Sequence, residues 1–454
     1  MTRFRTLTTA LMLGAALAGC STLRKGKPKT PVLGERISIL ATELDISVDP
    51  ATAAIPMTLP PAQVNSDWSQ PGGAPGKSPG HLALGKSLGQ AFNVSIGAGD
   101  AKGARLAAAP VVSGGKVFTI DTASTVRAFD ARTGAALWST QFGTAARGAK
   151  SLFGGGVAVD GGRVFATNGL GFVAALDTGN GGRIWQVRPG GPLRGAPSVA
   201  DGTLYAISQD NQIYAMSQAD GATKWSNAAA LEIAGVFGAG SPAIGQGTVI
   251  AGFSSGELNA YRYENGRMVW QDTLARTSVR TSVSSLADVD ADAVIDQGQV
   301  FALGQGGRMV ALDLVSGQRL WELNLAGIST PCVVGDWVFI VTDEAKVVAV
   351  ARSTGKVRWI SQLPRYRKAK AKAGPISYEG PIMAGDRLIL TGSNGTLINL
   401  NPANGSFQSQ TNAGGTVSLP PIVANQTLYI LTDSGRLAPF FATRLTPAPP
   451  AGRG

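Results

Sequence analysis

Few residues of this 454-residue chain have the types and spacing that catalysis needs. The chain has one histidine, His81, in a loop rich in proline and glycine, so we expect neither a Ser-His-Asp triad nor a histidine metal site. The acidic run DVDADAVID (288–296) begins like a calcium loop, but Ala293 and Gln299 stand where an EF-hand needs glycine and glutamate. The stretch GQGG (304–307) lacks the lysine of a phosphate-binding loop. We therefore expect no enzyme, no metal ion and no cofactor.

The first nineteen residues have the pattern of a secretory signal. Arg3 and Arg5 precede an uncharged apolar run, residues 7–19, which is too short to cross a bilayer as a helix. A positive start followed by a short apolar run is typical of a signal peptide. We therefore predict that residues 1–19 are a signal peptide.

Cys20 follows this signal directly, in the tetrapeptide LAGC. The tetrapeptide resembles the lipobox of bacterial lipoproteins, which implies cleavage before Cys20 and a lipid (palmitate) on its thiol. An ordinary signal peptide with an unmodified cysteine is the alternative. Ser21 stands where an aspartate typically retains such lipoproteins in the inner membrane, so the resemblance implies the outer membrane, facing the periplasm. Cys332, the other cysteine, is expected to be a buried core residue.

The chain is basic, with a formal net charge of +11. Five of its positive charges lie in one block, RYRKAKAK (365–372). Such a block is usually a solvated loop, and contact with an acidic partner or a membrane surface is the alternative. Nucleic acid is excluded as a partner because the chain carries an export signal.

The elements that must position functional residues come from a repeat. Six ten-residue stretches have glycine at the sixth position and tryptophan at the tenth, and a seventh, LNPANGSFQS (400–409), keeps only the glycine. The six are FDARTGAALW (129–138), LDTGNGGRIW (176–185), MSQADGATKW (216–225), YRYENGRMVW (261–270), LDLVSGQRLW (312–321) and VARSTGKVRW (350–359). Their tryptophans are Trp138, Trp185, Trp225, Trp270, Trp321 and Trp359.

The repeat predicts an all-β fold. Each unit contains four short strand patterns, and four strands per repeat of about 44 residues are typical of a β-propeller. In such a ring each blade packs on its neighbours, so we expect the six indoles to fill the wedges between blades. Eight blades are predicted, starting near Pro110, Gly155, Ala196, Ser241, Asp290, Pro331, Pro381 and Pro421.

The eighth blade contains only three strand patterns before the chain ends. An unpaired edge strand is an aggregation hazard, so we predict that residues 88–97 supply the missing strand and close the ring. The expected organisation is a lipidated N-terminus and tether over residues 20–63 and an eight-bladed propeller of four-stranded antiparallel blades over residues 64–443. A disordered tail is expected over residues 444–454.

The repeat resembles the PQQ-type repeat, which two families carry. One is the quinoprotein dehydrogenases, whose site holds an adjacent Cys-Cys disulfide over the quinone, a Ca²⁺ ion and an aspartate; this chain has no Cys-Cys pair. The other is the BamB family of outer-membrane β-barrel assembly lipoproteins. The stretch SSLADVDADAVIDQGQVFAL (284–303) is similar to a signature of that family and places its two acidic residues on Asp288 and Asp290.

The resemblance also implies a set of partner contacts. VFGAGSPAIG (236–245) matches the start of the preceding blade, so Val236 and Phe237 occupy the family's contacting leucine and arginine positions, with phenylalanine in place of arginine. Arg194, in LRGAP (193–197) one blade earlier, is either a displaced equivalent or a coincidence of repeat starts. For Asp288 and Asp290 the alternative is turn-forming aspartates that bond their own backbone.

As a member of the BamB family, the chain would be a non-enzymatic scaffold and a single-copy subunit of a hetero-complex. The implied partners are the periplasmic POTRA domains of BamA and the other lipoproteins of the assembly complex. The alternatives are another lipid-anchored propeller of the cell envelope and a relative of the PQQ-dependent dehydrogenases.

Overall fold

The computed structural model describes residues 46–143, 155–231, 240–274 and 288–442. These parts contain 35 short strands and one helix, α1 (Pro50–Ala54). No helix within the described ranges is long and apolar enough to cross a membrane.

Eight antiparallel sheets form the blades of a propeller. Two short strands precede them, β1 (Leu88–Gln90) and β2 (Val94–Ser95). Blade 1 is β3 (Val111–Ser113), β4 (Lys116–Ile120), β5 (Thr125–Asp130) and β6 (Ala136–Gln141). Blade 2 is β7 (Gly156–Asp160), β8 (Arg163–Thr167), β9 (Val173–Asp177) and β10 (Arg183–Val187). Blade 3 is β11 (Ser198–Ala200), β12 (Thr203–Ile207), β13 (Gln212–Ser217) and β14 (Thr223–Ala228). Blade 4 is β15 (Ala243–Gly245), β16 (Thr248–Gly252), β17 (Glu257–Arg262) and β18 (Met268–Thr273).

The remaining blades follow the same order, apart from one inserted hairpin. Blade 5 is β19 (Val294–Asp296), β20 (Gln299–Gly304), β21 (Arg308–Asp313) and β22 (Arg319–Leu323). Blade 6 is β23 (Cys332–Val334), β24 (Trp337–Val341), β25 (Lys346–Ala351) and β26 (Val357–Gln362). The hairpin is β27 (Tyr366–Lys368) and β28 (Ala373–Pro375). Blade 7 is β29 (Tyr378–Ala384), β30 (Arg387–Gly392), β31 (Thr396–Leu400) and β32 (Phe407–Asn412). Blade 8 has β33 (Ile422–Ala424), β34 (Thr427–Leu431) and β35 (Arg436–Ala442) from the C-terminal part.

An N-terminal strand completes blade 8. β1 pairs antiparallel with β35, with Leu88 opposite Ala442, and β2 pairs with the start of the same strand. β35 is thereby paired on its outer side, and blade 8 gains the fourth, outermost strand that the other blades have. The predicted all-β, eight-bladed fold with N-terminal closure is confirmed.

The repeat's glycine and tryptophan meet across six of the eight blade interfaces. Each of the six indoles donates its Nε1 hydrogen to a backbone carbonyl of the next blade, at 2.7–3.1 Å. The next blade's repeat glycine lies against the same ring, and a Cβ there would come within 2.5–2.8 Å of the indole. The six ring–glycine pairs are Trp138–Gly181, Trp185–Gly221, Trp225–Gly266, Trp270–Gly317, Trp321–Gly355 and Trp359–Gly405.

Two positions of the ring depart from this pattern. At the closure, Phe92, which lies between β1 and β2, occupies the place of the indole, and a Cβ on Gly134 would lie 2.6 Å from its ring. In blade 7, where the tryptophan is missing, Ser409 Oγ accepts a hydrogen bond from Asn399 Nδ2 at 2.9 Å within the same sheet.

A segment before the first blade runs along the inner edges of the blades, around the central channel. This segment, residues 65–82, is called the strap. Its backbone oxygens accept hydrogen bonds from the innermost strands of blades 1, 2, 4 and 5, at 2.7–2.9 Å, and the Gln70 side chain bonds both backbone groups of Val199 in blade 3 at 3.1 Å. Leu82 exchanges backbone bonds with blade 7, and Asn65 bonds blade 8. The strap therefore satisfies inner-edge groups that a four-stranded blade leaves unpaired.

The strand order defines two faces of the ring. The connections between blades lie at the same end as the turns joining second to third strands, because neighbouring strands are antiparallel. We call this end the upper face and the other end, which carries the repeat glycines, the lower face.

Residues 46–63, which the sequence assigns to the tether, lie against blade 6. Val48 pairs in parallel with Val357, and Asp49 caps α1 by accepting from the Thr52 backbone N–H at 2.7 Å. Arg358 donates to the Thr52 carbonyl at 3.1 Å. The part of the chain that packs on the ring thus begins at least as early as residue 46.

Candidate functional site

Three of the charged residues expected to contact a partner come together inside the protein. One guanidinium nitrogen of Arg194 lies 3.1 and 3.0 Å from the two carboxylate oxygens of Asp288 and 3.0 Å from Oδ1 of Asp290. The three residues are 7%, 1% and 8% exposed. They form a buried ion cluster, called here the Arg194 cluster.

The cluster joins two inter-blade connections of the upper face. Arg194 lies between β10 and β11, where its backbone N–H bonds the Ile207 carbonyl at 2.9 Å. Asp288 precedes β19, and its carbonyl accepts from the Gln305 N–H at 2.9 Å. The cluster therefore ties the connection that enters blade 3 to the one that enters blade 5, across blade 4.

Burial favours the protonated form of Asp290 in this cluster. It raises the pKa of Asp290 to about 8, and the neighbouring Asp288 acts in the same direction while Arg194 opposes it. Oδ2 of Asp290 is buried and has no hydrogen-bond partner within the described residues, which agrees with a protonated acid. Burial therefore favours the uncharged form of Asp290 beside the Arg194 guanidinium.

These positions correct one expectation from the sequence. Asp288 and Asp290 were expected to form part of an exposed contact patch, but both are buried and bonded to Arg194, so they present no free acidic surface. A buried carboxylate needs a charge partner or a proton, and here Arg194 supplies the charge. Val236, Phe237 and Cys20 lie outside the described residues.

A cavity of about 320 Å³ opens beside this cluster at the centre of the ring. The starts of the inner strands form its wall, the strap contributes Trp68 and Lys77, and apolar side chains such as Leu106 and Leu419 line the remainder. Asp290 lines it as well, so the cavity and the Arg194 cluster share a wall.

Further ionisable residues line the cavity, among them Lys77, Asp292 and Glu379. Lys77 is 1% exposed and donates from Nζ to the Pro71 carbonyl at 2.9 Å and to Ser198 Oγ at 2.8 Å. Burial lowers the pKa of Lys77 to about 8, against the opposing charge of Asp292. Burial raises the pKa of Asp292, and it raises that of Glu379 to about 7.

Sequence reasoning missed this second charged set. Lys77 lies in a stretch rich in proline and glycine, typical of an exposed loop, and Glu379 lies in β29 with no motif around it. Asp292 belongs to the acidic run 288–296, and that run was the only available signal.

The cavity residues do not fit a pyrroloquinoline quinone with its calcium ion. Cys332 is the only cysteine in the described part of the chain; it is buried, and burial raises its pKa to about 12. Among the described residues no group of three or more His, Cys, Asp or Glu side chains is arranged to hold a metal ion. The residues therefore support no step through such a group.

Comparisons with known proteins agree with the geometry. A family model described as "Outer membrane protein assembly factor BamB" matches residues 122–361, just over half of the chain. The protein of that name from Yersinia pestis is 28% identical over 337 residues, which cover 73% of this chain and 83% of that protein. The one from Salmonella typhimurium is 31% identical over 278 residues, which cover 52% of this chain and 69% of that protein.

Solved structures share the fold. The crystal structure of BamB from Moraxella catarrhalis matches with a TM-score of 0.67 and 20% identity, over 78% of this chain and 100% of that one. Quinohemoprotein alcohol dehydrogenase from Comamonas testosteroni matches with a TM-score of 0.62 and 14% identity, over 87% of this chain and 83% of that one. The match of the family model and the Salmonella relative together show that this chain belongs to the BamB family of outer membrane protein assembly factors.

Proposed function

We propose that the protein is a lipid-anchored, non-enzymatic scaffold of the outer-membrane β-barrel assembly machinery, facing the periplasm. Cys20 would carry the lipid after removal of residues 1–19. The periplasmic domains of BamA would bind the upper face at blades 3 to 5. Family membership supports the assembly role, and the Arg194 cluster supports the choice of face.

The Arg194 cluster would act by holding loops. It joins the connection that enters blade 3 to the one that enters blade 5, and in sequence Val236 and Phe237 belong to the segment that leads from blade 3 to blade 4. Leu231, at the described start of that segment, is 73% exposed. The buried centres of protein interfaces are depleted in charged residues and enriched in aromatic ones. We therefore propose that Leu231, Val236 and Phe237 contact BamA. The buried charges of the Arg194 cluster would position the connections of the upper face.

Site-specific crosslinking tests this assignment without removing a buried charge. A photoreactive phenylalanine analogue is placed at Phe237 in one strain and at Phe407 in another. Phe407 is the matched control because it is 61% exposed, begins β32 in blade 7 and lies near the lower face. We expect the Phe237 variant to crosslink to BamA in cells and the Phe407 variant not to do so.

The other outcomes contradict specific parts of the proposal. Crosslinking from Phe407 and not from Phe237 would show that BamA binds another face. No BamA adduct from either position, together with failure to co-purify BamA after detergent extraction, would remove BamA as the partner.

A further inference from the structure

A positively charged hairpin projects from the upper face between blades 6 and 7. β27 and β28 pair with Tyr366 opposite Pro375 and Lys368 opposite Ala373, which leaves residues 369–372 as the tip. The hairpin belongs to no blade, and residues 367–375 are all exposed. It therefore adds little to the core of the ring.

The base of the hairpin is held to the ring. The Ile376 N–H donates to the Arg365 carbonyl at 2.9 Å, and the Arg367 guanidinium donates to the Ser393 carbonyl of blade 7 at 2.6 Å. The charges beyond this base are the side chains of Lys368, Lys370 and Lys372, and residues 364–377 contain no acidic residue. The hairpin thus presents three exposed lysines on an anchored support.

The composition of the tip distinguishes between two kinds of partner. Lysine and alanine, which alternate over residues 368–373, are depleted in protein–protein interfaces, whereas tyrosine, tryptophan and arginine are enriched there. A lysine ammonium is a flexible point charge that requires no fixed acceptor geometry, which suits a layer of mobile phosphate headgroups. Clusters of lysine near a membrane are attracted to anionic lipids, by about fivefold in partition for each residue near the surface.

We propose that this hairpin binds the surface of an anionic phospholipid bilayer. The inference rests on the proposed membrane location, but it concerns different blades from the proposed BamA contact. A protein held at the membrane by a lipid would gain from the hairpin a second contact that sets the orientation of its ring.

The test is vesicle flotation of the mature chain, residues 20–454, carrying Cys20→Ser, which lacks the proposed signal peptide and lipid and leaves every described residue unchanged. The vesicles are phosphatidylcholine alone, or phosphatidylcholine and phosphatidylglycerol in equal parts. In this background Lys368→Gln, Lys370→Gln and Lys372→Gln are combined and leave Arg367 in place. The matched control combines Lys86→Gln, Lys102→Gln and Arg132→Gln, three exposed cations near blades 8 and 1.

We expect the Cys20→Ser chain to float with the anionic vesicles and not with phosphatidylcholine alone. The hairpin variant should bind at least about tenfold more weakly, and the control variant should keep most of the binding. Added salt should weaken the binding because the contacts are exposed. Equal losses in both triple variants would show a response to net charge only and would overturn the proposal.

The BamA experiment separates this proposal from the function proposed above. Unchanged vesicle binding by the hairpin variant would also overturn the inference. If that variant instead loses BamA on co-purification, the hairpin contacts a protein. Normal BamA crosslinking from Phe237 together with absent vesicle binding would leave the scaffold role intact and refute the membrane contact alone.

Discussion

At the scale of single residues, each repeat glycine is needed for two reasons: its backbone conformation and its close contact with an indole ring. Gly221 has φ of +78°, in the region that L side chains rarely adopt, and a Cβ would lie 2.8 Å from the Trp185 ring. Gly202 has φ of +68° with open space around it. Both glycines lie in blade 3. Substituting Gly202 therefore tests the cost of the backbone conformation alone, and substituting Gly221 tests that cost together with the contact with the Trp185 ring.

We expect Gly202→Ala to lower the free energy of unfolding by about 1 kcal/mol, the cost of a left-handed alanine. Gly221→Ala should cost that amount and about 1–3 kcal/mol more, because its methyl group must displace the indole. Urea unfolding of both variants measures the difference. Equal losses of unfolding free energy in the two variants would mean that the Trp185 ring can move aside without cost. Gly221 would then be needed only for the backbone conformation of the turn.

A second prediction at this scale concerns Asp290 and the dependence of the unfolding free energy on pH. Its pKa is about 8 in the folded protein and near 3.8 when exposed, so the folded state holds a proton that the unfolded state releases between these values. The free energy of unfolding therefore falls as the pH rises from about 4 to about 8, with a slope of at most about 1.4 kcal/mol per pH unit from this group. Asp290→Asn mimics the protonated acid and should remove this part of the slope, as denaturant unfolding across that range would show.

Asp313 serves as the control because its pKa shift has the opposite sign. Hydrogen bonds from the Ser316 backbone and hydroxyl lower the pKa of the exposed Asp313, so its contribution is lost as the pH falls. Asp313→Asn should therefore leave the slope between about pH 4 and pH 8 unchanged. A slope as steep in Asp290→Asn as in the unsubstituted protein would show that Asp290 does not hold this proton. A smaller slope should remain, because burial also raises the pKa of Glu379, to about 7.

At the scale of elements, the strap acts as an additional partner for the inner strands. Gln70 is 2% exposed, and its side-chain amide imitates a neighbouring strand by donating to the Val199 carbonyl and accepting from the Val199 N–H. Loss of this amide would leave two buried backbone groups of β11 unpaired.

We expect Gln70→Ala to lower the free energy of unfolding by about 1–3 kcal/mol and to speed hydrogen exchange of the Val199 amide. Gln63→Ala is the matched control, since Gln63 is exposed and bonds its neighbours through its backbone. A protected Val199 amide in Gln70→Ala would show that the channel wall does not need the strap.

At the scale of the whole molecule, closure of the ring depends on the short strand β1 and on Phe92 beside it. β1 has three residues and bonds β35 on one side, while Phe92 beside it fills the space that an indole fills elsewhere. Phe92 is also less buried than Trp225 in the middle of the chain, which is 8% exposed. The joint between blades 8 and 1 is therefore expected to open before the others.

We expect Phe92→Ala to cost about 1–2 kcal/mol, less than the roughly 3–5 kcal/mol of Trp225→Ala, because less apolar area is lost. Native-state hydrogen exchange should nevertheless report the change locally. Amides of β35 should exchange faster in Phe92→Ala and remain protected in Trp225→Ala under conditions where the rest of the ring stays folded. The reverse pattern would place the weakest joint elsewhere.

The sequence by itself determined the fold, because the residues that define each repeat lie close together in the chain. The turn glycine and the tryptophan four residues later recur in six of the eight blades, and each unit must bury its faces against a copy of itself. Blade number, strand count and closure by residues 88–97 follow from counting these units, and the structure confirms them. Periodic contacts of this kind can be predicted because the same residue types make the same contact at successive blade interfaces.

Only the tertiary structure decided what the charged residues do. Arg194 and Asp288 are 94 positions apart, and the buried Lys77 and Ser198 are 121 apart, with no period that relates either pair. The charge state of a carboxyl group depends on its burial and on the charges beside it, and neither quantity is local in sequence. For that reason the sequence could place Asp288 and Asp290 at the joint of blades 4 and 5, but not inside it and bonded to Arg194.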